Sequence, residues 1–427
     1  MGINVLIVGS GAREHALTWK ALQSPLTDTV FCAPGNAATG SIALNTGLEA
    51  TDVEGVARFV NERDVGLTVI GPEVAVAAGL ADRLTAAGRL VFGPTQAAGR
   101  IESSKAFAKS LMERTGVPTP AHRVFDNPAS AKDFVRGERR AFVVKADGLA
   151  KGKGTLVARD AEETLECIDT LMLRRTVGAA ADRIVLEEKI DGREVSLMAL
   201  VDGERILPLP PACDYKRAFD GDRGPNTGGM GGYSPVSFFG PDAVEQAVTT
   251  VLRPIVEGLR DGGTPYRGCL YAGLMVGSAG IQALEFNARF GDPEAQVVLP
   301  RLETDLIALL EAAARGELAE ASGSWTSRSS VGVVLASRGY PGTYATGYPI
   351  EGLGTIEREV LVFHAGAAAD PSGYVTAGGR VLTLVALGES MAEAKDRAYR
   401  NVDRIRFQGM TFRRDLAERE IEAPALP

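Results

Sequence analysis

Cysteine is scarce: Cys32, Cys167, Cys213 and Cys269 are the only four, and no two stand in a Cys-x-x-Cys spacing. That excludes a disulfide framework and a cysteine-based zinc site, and it fits a reducing, cytoplasmic compartment. Histidine is scarcer still. His15, His122 and His364 show no nucleophile–base–orienter pattern, so each reads as a structural or surface group and no covalent nucleophile is assigned. A basic excess is also missing, since 46 Lys and Arg face 54 Asp and Glu for a net charge of −8. General nucleic-acid binding, which requires a basic surface that releases counterions, is thereby excluded. No apolar run approaches the length of a membrane span, and the start, MGINVLIVGSG, lacks the charged region, apolar core and cleavage site of an export signal. The expectation is a soluble protein with no membrane association. Internal repeats and low-complexity tracts are absent as well.

What is present is ordinary globular material. With 427 residues, 45% of them hydrophobic and 23% charged, the chain can bury a large core and divides on size grounds into roughly two to four domains. Ile3 to Val8 is a short apolar run that ends in Gly9-Ser10-Gly11 and leads into a helical pattern through Ala16, Leu17, Trp19 and Leu22. Further apolar runs at 29–33, 67–70 and 90–92, with helical patterns at 54–63 and 78–88, repeat the alternation that builds a parallel sheet covered by helices. Gly93-Pro94-Thr95 punctuates the chain, and Ser103 or Ser104 can cap a helix from Lys105 to about Arg114.

Strands are expected at 142–145, 155–158, 184–187 and 195–201, with helices at 129–138 and 161–173. The stretch 205–235, dense in Gly, Pro and Asp, reads as a long functional loop or a linker. Runs at 268–276 and 281–286 read as a hairpin. Strands at 330–336 and 380–387, with a helix at 390–402, form a last domain.

Three features carry chemistry. Gly9-x-Gly11 lets the backbone approach an anion at a helix N-terminus, which makes it a phosphate-loop candidate. Its dinucleotide reading is weak, because Glu14 holds the third glycine position. Pro34-Gly35-Asn36 and Gly71-Pro72-Glu73 close successive strands at the same edge, where ligands of open α/β sheets bind. Next, Lys145 stands on a strand just before the glycine-rich basic loop 148–154, whose Lys151 and Lys153 can fold over a triphosphate. Downstream, the strand end around Glu187 can offer backbone to an adenine edge while a carboxylate accepts from the ribose. Finally, Glu285 and Asn287 alternate along one strand and face the same way, giving two hard oxygen donors suited to Mg²⁺.

The ordered set GSGAREHAL (9–17), APGNA (33–37), IGPE (70–73), ESSKAFAK (102–109), VKADGLAKGKG (144–154), LEEKIDGREVS (186–196), DYKRAFDGDRGPNTGGMGGYSP (214–235), EFNARFGDPE (285–294) and AGGRVL (377–382) resembles the phosphoribosylamine–glycine ligase family of ATP-grasp enzymes. The resemblance implies an α/β and α+β multidomain chain. Its parts would be a Rossmann-like N-terminal substrate domain (1–101), an ATP-grasp domain (102–325) with a mobile lid at about 120–191, and a small mixed C-terminal domain (326–427). It implies that Lys105, Lys145 and Lys153 contact ATP phosphates, Glu187 and Ile190 the adenine and Glu194 the ribose, while Glu285 and Asn287 hold Mg²⁺, with Mn²⁺ as an alternative ion.

Arg289 and Lys145 are the candidate catalytic pair. Gly9, Gly11, Arg13, Glu14, Gly35, Asn36, Pro72, Glu73, Asp214, Lys216, Arg289, Gly291 and Asp292 fall on the substrate side. The implied activity is ATP-dependent joining of glycine to 5-phosphoribosylamine by a monomer; the alternative is a paralogue that ligates a related acid or amine. Cys213 stands where the family usually has Gln, and Tyr271-Ala272-Gly273 supplies no carboxylate for a second magnesium. A non-catalytic nucleotide-binding regulator and an NAD-dependent oxidoreductase are the rival readings.

Overall fold

The computed structural model describes residues 2–150, 152–371 and 373–422. Its first sheet is parallel, with strands in the order 44–45, 27–34, 3–9, 65–70 and 91–92. Ile3–Gly9 lies at its centre and buries Val5, Leu6, Ile7 and Val8 almost completely, as a strand covered by helices on both faces must. The helix Ala12–Ala21 follows at once, because Gly11 opens it in extended backbone and Glu14 returns its carboxylate to the Gly11 N–H at 2.7 Å. The helix Val53–Glu62 begins where Asp52 accepts from the Gly55 N–H.

A second, antiparallel sheet orders the strands 122–125, 184–188, 142–146 and 155–157. It carries a core of its own, built from Phe142, Val144, Ile184 and Leu186 against Ala131, Val135, Ile168 and Leu171. The pattern read as one helix over 161–173 is α-helical only to Ile168 and continues as a wider π turn to Leu173. A third sheet orders 206–208, 193–202, 267–277 and 280–287. The hairpin in it is the expected one, closed by Ser278-Ala279. One irregularity was invisible in the sequence. Gly273 pairs with Glu285 while Leu274 pairs with Ala283, which leaves Leu284 as a bulge.

The segment 205–235 is not a linker. Cys213–Asp214 and Gly231–Ser234 join the last sheet beside Ser329–Ser337, followed by Arg380–Gly388 and Leu361–His364. The C-terminal sheet therefore does not begin at 326. The strands of the 205–235 region, two of which belong to this sheet, are two to four residues long, too short to show a period. Ser329–Ser337 is buried at every position, because the helix Met391–Val402 and the helix Glu294–Val298 both pack on this sheet. Gly332 permits the close approach, since a Cβ there would stand 2.7 Å from Val297. Among the described residues no helix is long and apolar enough to cross a membrane.

The first and last units are docked through two histidines. The backbone N–H of His364 donates to His15 Nδ1 at 2.9 Å, and the rings lie 5.8 Å apart. His15 must therefore accept at Nδ1 and is neutral. Burial, reinforced by the neighbouring His364, lowers the pKa of His15 to about 3, and burial lowers that of His364 to about 4. Both groups bind protons near pH 6.5 once unfolded, so the stability they contribute is complete above that value and is lost as pH falls toward the folded-state values. We predict that His364→Gln loses about 1–2 kcal/mol less stability than the parent chain between pH 7 and pH 5, measured by chemical denaturation at each pH. Parallel pH profiles would contradict this.

Candidate active site

One cavity of about 1170 Å³ is lined by residues from each of the four larger sheets. Its walls are set by local rules. Ser104 caps the helix Lys105–Thr115, its hydroxyl oxygen accepting from the Phe107 N–H, and Asp147, two residues beyond Lys145, accepts from the Ala106 N–H at 2.7 Å. The Lys105 N–H in turn donates to the Asp147 carbonyl. The helix that presents Lys105 and the strand that presents Lys145 are thus fastened together at their ends.

Lys105 reaches Glu285 at 3.5 Å. Lys145, buried, donates to the Leu284 carbonyl at 3.0 Å, and its ammonium stands 2.8 Å from Glu187. The bulge at Leu284 resets the alternation so that Glu285 and Asn287 follow it on the cavity wall. Desolvation alone would raise the pKa of Glu285, but Lys105, Lys145 and Lys216 outweigh it and hold the carboxyl down to about 2. The Glu187 carboxylate is taken up by two lysines, and beyond Glu188, where the strand ends, Lys189 and Ile190 join the cavity lining. Lys153 also lines the cavity, while Lys151 lies outside the described residues. Gly152, at φ +77°, lets this loop lie against Thr227, whose carbonyl would be 3.2 Å from a Cβ.

On the opposite side Arg289 is held between Glu73 (3.0 Å) and Glu102 (2.9 Å). Burial raises the pKa of Glu102 in spite of Arg289, and the same carboxylate accepts from the Ala288 N–H. Glu194 pairs with Lys216 at 2.6 Å, and Lys216 lies 3.8 Å from Asp214. Desolvation, with Glu294 and Glu194 nearby, lifts Asp214 to about 7 against the pull of Lys216. Tyr271 donates to Glu294 at 2.8 Å and meets the Ser196 hydroxyl at 2.8 Å. Cys213 points its thiol at the Glu194 carbonyl, and burial raises the thiol to about 12, so it is inert.

Three expectations need correction. The Gly9–Gly11 loop closes on the protein's own anion: Cβ atoms at Gly9 and Gly11 would stand 2.5 and 2.9 Å from the Glu14 side chain. Arg13 adds its guanidinium to that carboxylate at 2.6 Å and donates to the Phe290 carbonyl. Gly9, Gly11, Arg13 and Glu14 line the cavity, with Pro72 and Glu73 beside them. Gly35 and Asn36 do not line it. Asn36 is spent on backbone, its amide donating to the Ser10 and His364 carbonyls and accepting from Ala38 and Thr39. Gly291 is also outside the lining, its N–H directed to the Met198 sulfur.

Sequence reasoning assigned no role to Glu102, Asp147, Tyr271, Glu294 and Arg380. Arg380 is the largest omission. It donates to the Gly228 carbonyl at 2.6 Å, to the Asp292 carbonyl at 2.9 Å and to the Asp292 carboxylate at 2.8 Å. The AGGRVL stretch that contains it was the only signal.

Models of the phosphoribosylglycinamide synthetase N domain, ATP-grasp (A) domain and C domain match residues 3–102, 103–295 and 330–419. The chain belongs to the phosphoribosylglycinamide synthetase family. A phosphoribosylamine–glycine ligase of Halalkalibacterium halodurans is 43% identical over 424 residues, 99% of each chain. One from Vibrio cholerae is 44% identical over 423 residues, 98% of this chain and 99% of that one. The crystal structure of the Thermotoga maritima phosphoribosylamine–glycine ligase superposes with a TM-score of 0.86 at 35% identity, covering 97% of this chain and 100% of that one.

The Arg380 fork generates a prediction. A lysine has three donors but on one nitrogen, and cannot span acceptors that Arg380 reaches with two nitrogens of a planar fork, so Arg380→Lys should expose the 227–230 loop. Amide exchange there should speed up by about tenfold, the equivalent of one to two lost hydrogen bonds. Exchange at the parent rate in this loop would contradict the clamp.

Proposed function

We propose that this chain joins glycine to 5-phosphoribosylamine at the expense of ATP, releasing glycinamide ribonucleotide, ADP and phosphate, a step of purine synthesis. The observation that supports it best is the convergence of Lys105 and Lys145 on the strand bearing Glu285 and Asn287, in a chain of this family. Val143 and Val157 of one sheet and Met275 and Leu284 of another give the cavity apolar lining that suits a flat base, with the backbone near Ile190 addressing its edge and Glu194 the ribose in this reading. Lys105, Lys145 and Lys153 then meet the phosphates.

The donor set fits Mg²⁺, with Mn²⁺ as an alternative. Glu285 is fully ionised at neutral pH and Asn287 adds a neutral oxygen, both hard donors. Among the described residues no three His, Cys, Asp or Glu side chains are grouped to hold a metal ion, so phosphate oxygens and water would complete the shell, as is usual for Mg²⁺ beside a nucleotide. The bound ion would neutralise charge on the phosphates.

The glycine carboxylate oxygen attacks the γ-phosphorus, the bond to ADP breaks, and glycyl phosphate forms. The amine nitrogen then attacks the carbonyl carbon, phosphate leaves, and the amine loses a proton. Positioning and cationic stabilisation carry such a reaction. Arg289 is fixed by Glu73 and Glu102 next to Asn287, and in this reading it faces the reacting carboxylate or phosphate. Lys216 and Asp214 address the glycine or the amine, and Arg13, Glu14, Pro72, Glu73 and Asp292 the phosphoribosyl side. In this reading the enzyme acts as a cytoplasmic monomer on small-molecule substrates.

Purified protein should release ADP only when ATP, Mg²⁺, glycine and phosphoribosylamine are all present. ADP release that persists without glycine, or that prefers another acid, would point to the paralogue. Glu285→Ala should lower turnover by roughly 10²-fold or more at saturating Mg²⁺, because it removes the one anionic metal donor. A folded variant with unchanged Mg²⁺ dependence would overturn the metal assignment.

A further inference from the structure

Lys109 has no place in the roles above. It lies one turn after Lys105 on the helix Lys105–Thr115 and is 2% exposed. Its ammonium donates to the Thr119 hydroxyl at 2.6 Å and stands 3.1 Å from one oxygen of Glu187. The other oxygen of Glu187 is 2.8 Å from Lys145. Thr119 passes its own proton to the Ala283 carbonyl at 2.7 Å, and Lys145 donates to the next carbonyl, Leu284. The contacts close a ring that starts and ends on adjacent carbonyls of the Glu285 strand.

We propose that Lys109 is a positioning residue for nucleotide binding and phosphoryl transfer, sharing Glu187 so that this carboxylate aims Lys145 without neutralising it. The inference rests on Lys145 as a phosphate contact. The charges support it: Lys105, Lys109 and Lys145 against Glu187 and Glu285 give 3 − 2 = +1. Without Lys109 the same set is neutral, and Glu187 binds Lys145 alone. Burial pulls the Lys109 ammonium down to about 8, with Glu187 opposing, so the group keeps its charge at neutral pH through that carboxylate. Glu187 stays ionised in turn because Lys145 and Lys109 outweigh its burial. A buried charge left unpaired is costly, which makes the three groups act as a unit.

The test is a double-mutant cycle in the full chain: parent, Lys109→Met, Glu187→Gln and both together. Lys109→Gln, which keeps a donor for Thr119, runs in parallel in case the methionine variant does not fold. Mg-ADP affinity is measured by calorimetry, with the KM for ATP, kcat and melting temperature alongside. Lys109→Met or Lys109→Gln should weaken Mg-ADP and raise the KM for ATP by about tenfold or more, whereas in the Glu187→Gln background the same change should matter less than about twofold. Lys109→Arg should recover most of the loss. A folded Lys109 variant with parental nucleotide affinity and turnover would overturn the proposal, even if its melting temperature fell, because that is the signature of a structural ion pair. Equal losses in both backgrounds would overturn it too. Mg-ADP affinity tests Lys109 independently of ligation: a parent chain that binds Mg-ADP but releases none from ATP with glycine and the amine counts against the ligase reading alone.

Discussion

A cavity meant for a polyanion must hold cations out of bulk water before the polyanion arrives, and each of those cations needs a carboxylate that does not cancel it. The buried Glu187, set between Lys109 and Lys145, is this structure's answer to that constraint. Much of the architecture serves it. The second sheet supplies Lys145 and Glu187 on paired strands, the helix Lys105–Thr115 supplies Lys105 and Lys109 on one face, and the bulge at Leu284 turns a carbonyl toward Lys145. A local dielectric well below that of water makes these contacts strong and makes their loss expensive.

The same logic operates on the substrate side with the signs exchanged. There Arg289 lies between two carboxylates and Arg13 neutralises Glu14. The centre of the cavity wall is thus a strand, 280–287, and a turn, 288–293, along which Glu285, Arg289 and Asp292 alternate in sign. Each is balanced by a group from another unit of the fold. That is why the units interlock: strands from the 205–235 segment enter the C-terminal sheet, Arg380 fastens the 228–229 loop to Asp292, and Asn36 and His15 tie the first unit to His364. The sheet of strands 122–125, 184–188, 142–146 and 155–157 keeps an apolar core to itself, as one face of the first sheet does.

Local features were readable in the sequence and remote ones were not. The strand–loop–helix at 3–21, the cap at Ser104, the hairpin 267–287 and the shared face of Glu285 and Asn287 follow from periods of two or 3.6 and from the chemistry of caps and turns. The 205–235 strands escaped because they are too short to have a period. Gly9 and Gly11 were correctly seen as positions where backbone meets an anion, but the anion in place is Glu14, three residues on. Asn36 sits in the right loop yet spends its amide on backbone carbonyls across a domain interface, a contact that no window around residue 36 contains. Lys109 was half legible, since its spacing from Lys105 puts both on one face, but its partner Glu187 comes from another sheet.

The balance of charge also bears on what the cavity selects. The chain as a whole carries −8, and the cavity sets Lys105, Lys145, Lys153 and Lys216 in one enclosure beside the carboxylates that balance them. At physiological ionic strength the Debye length is about 8 Å, so the outer acidic surface is largely screened from a ligand already inside. In the proposed reading a compact triphosphate meets those lysines inside the walls, whereas the net charge gives an extended polyanion no basic surface to lie on. On the proposed function, selection of small anionic substrates rests on where the positive charge is placed rather than on how much of it there is.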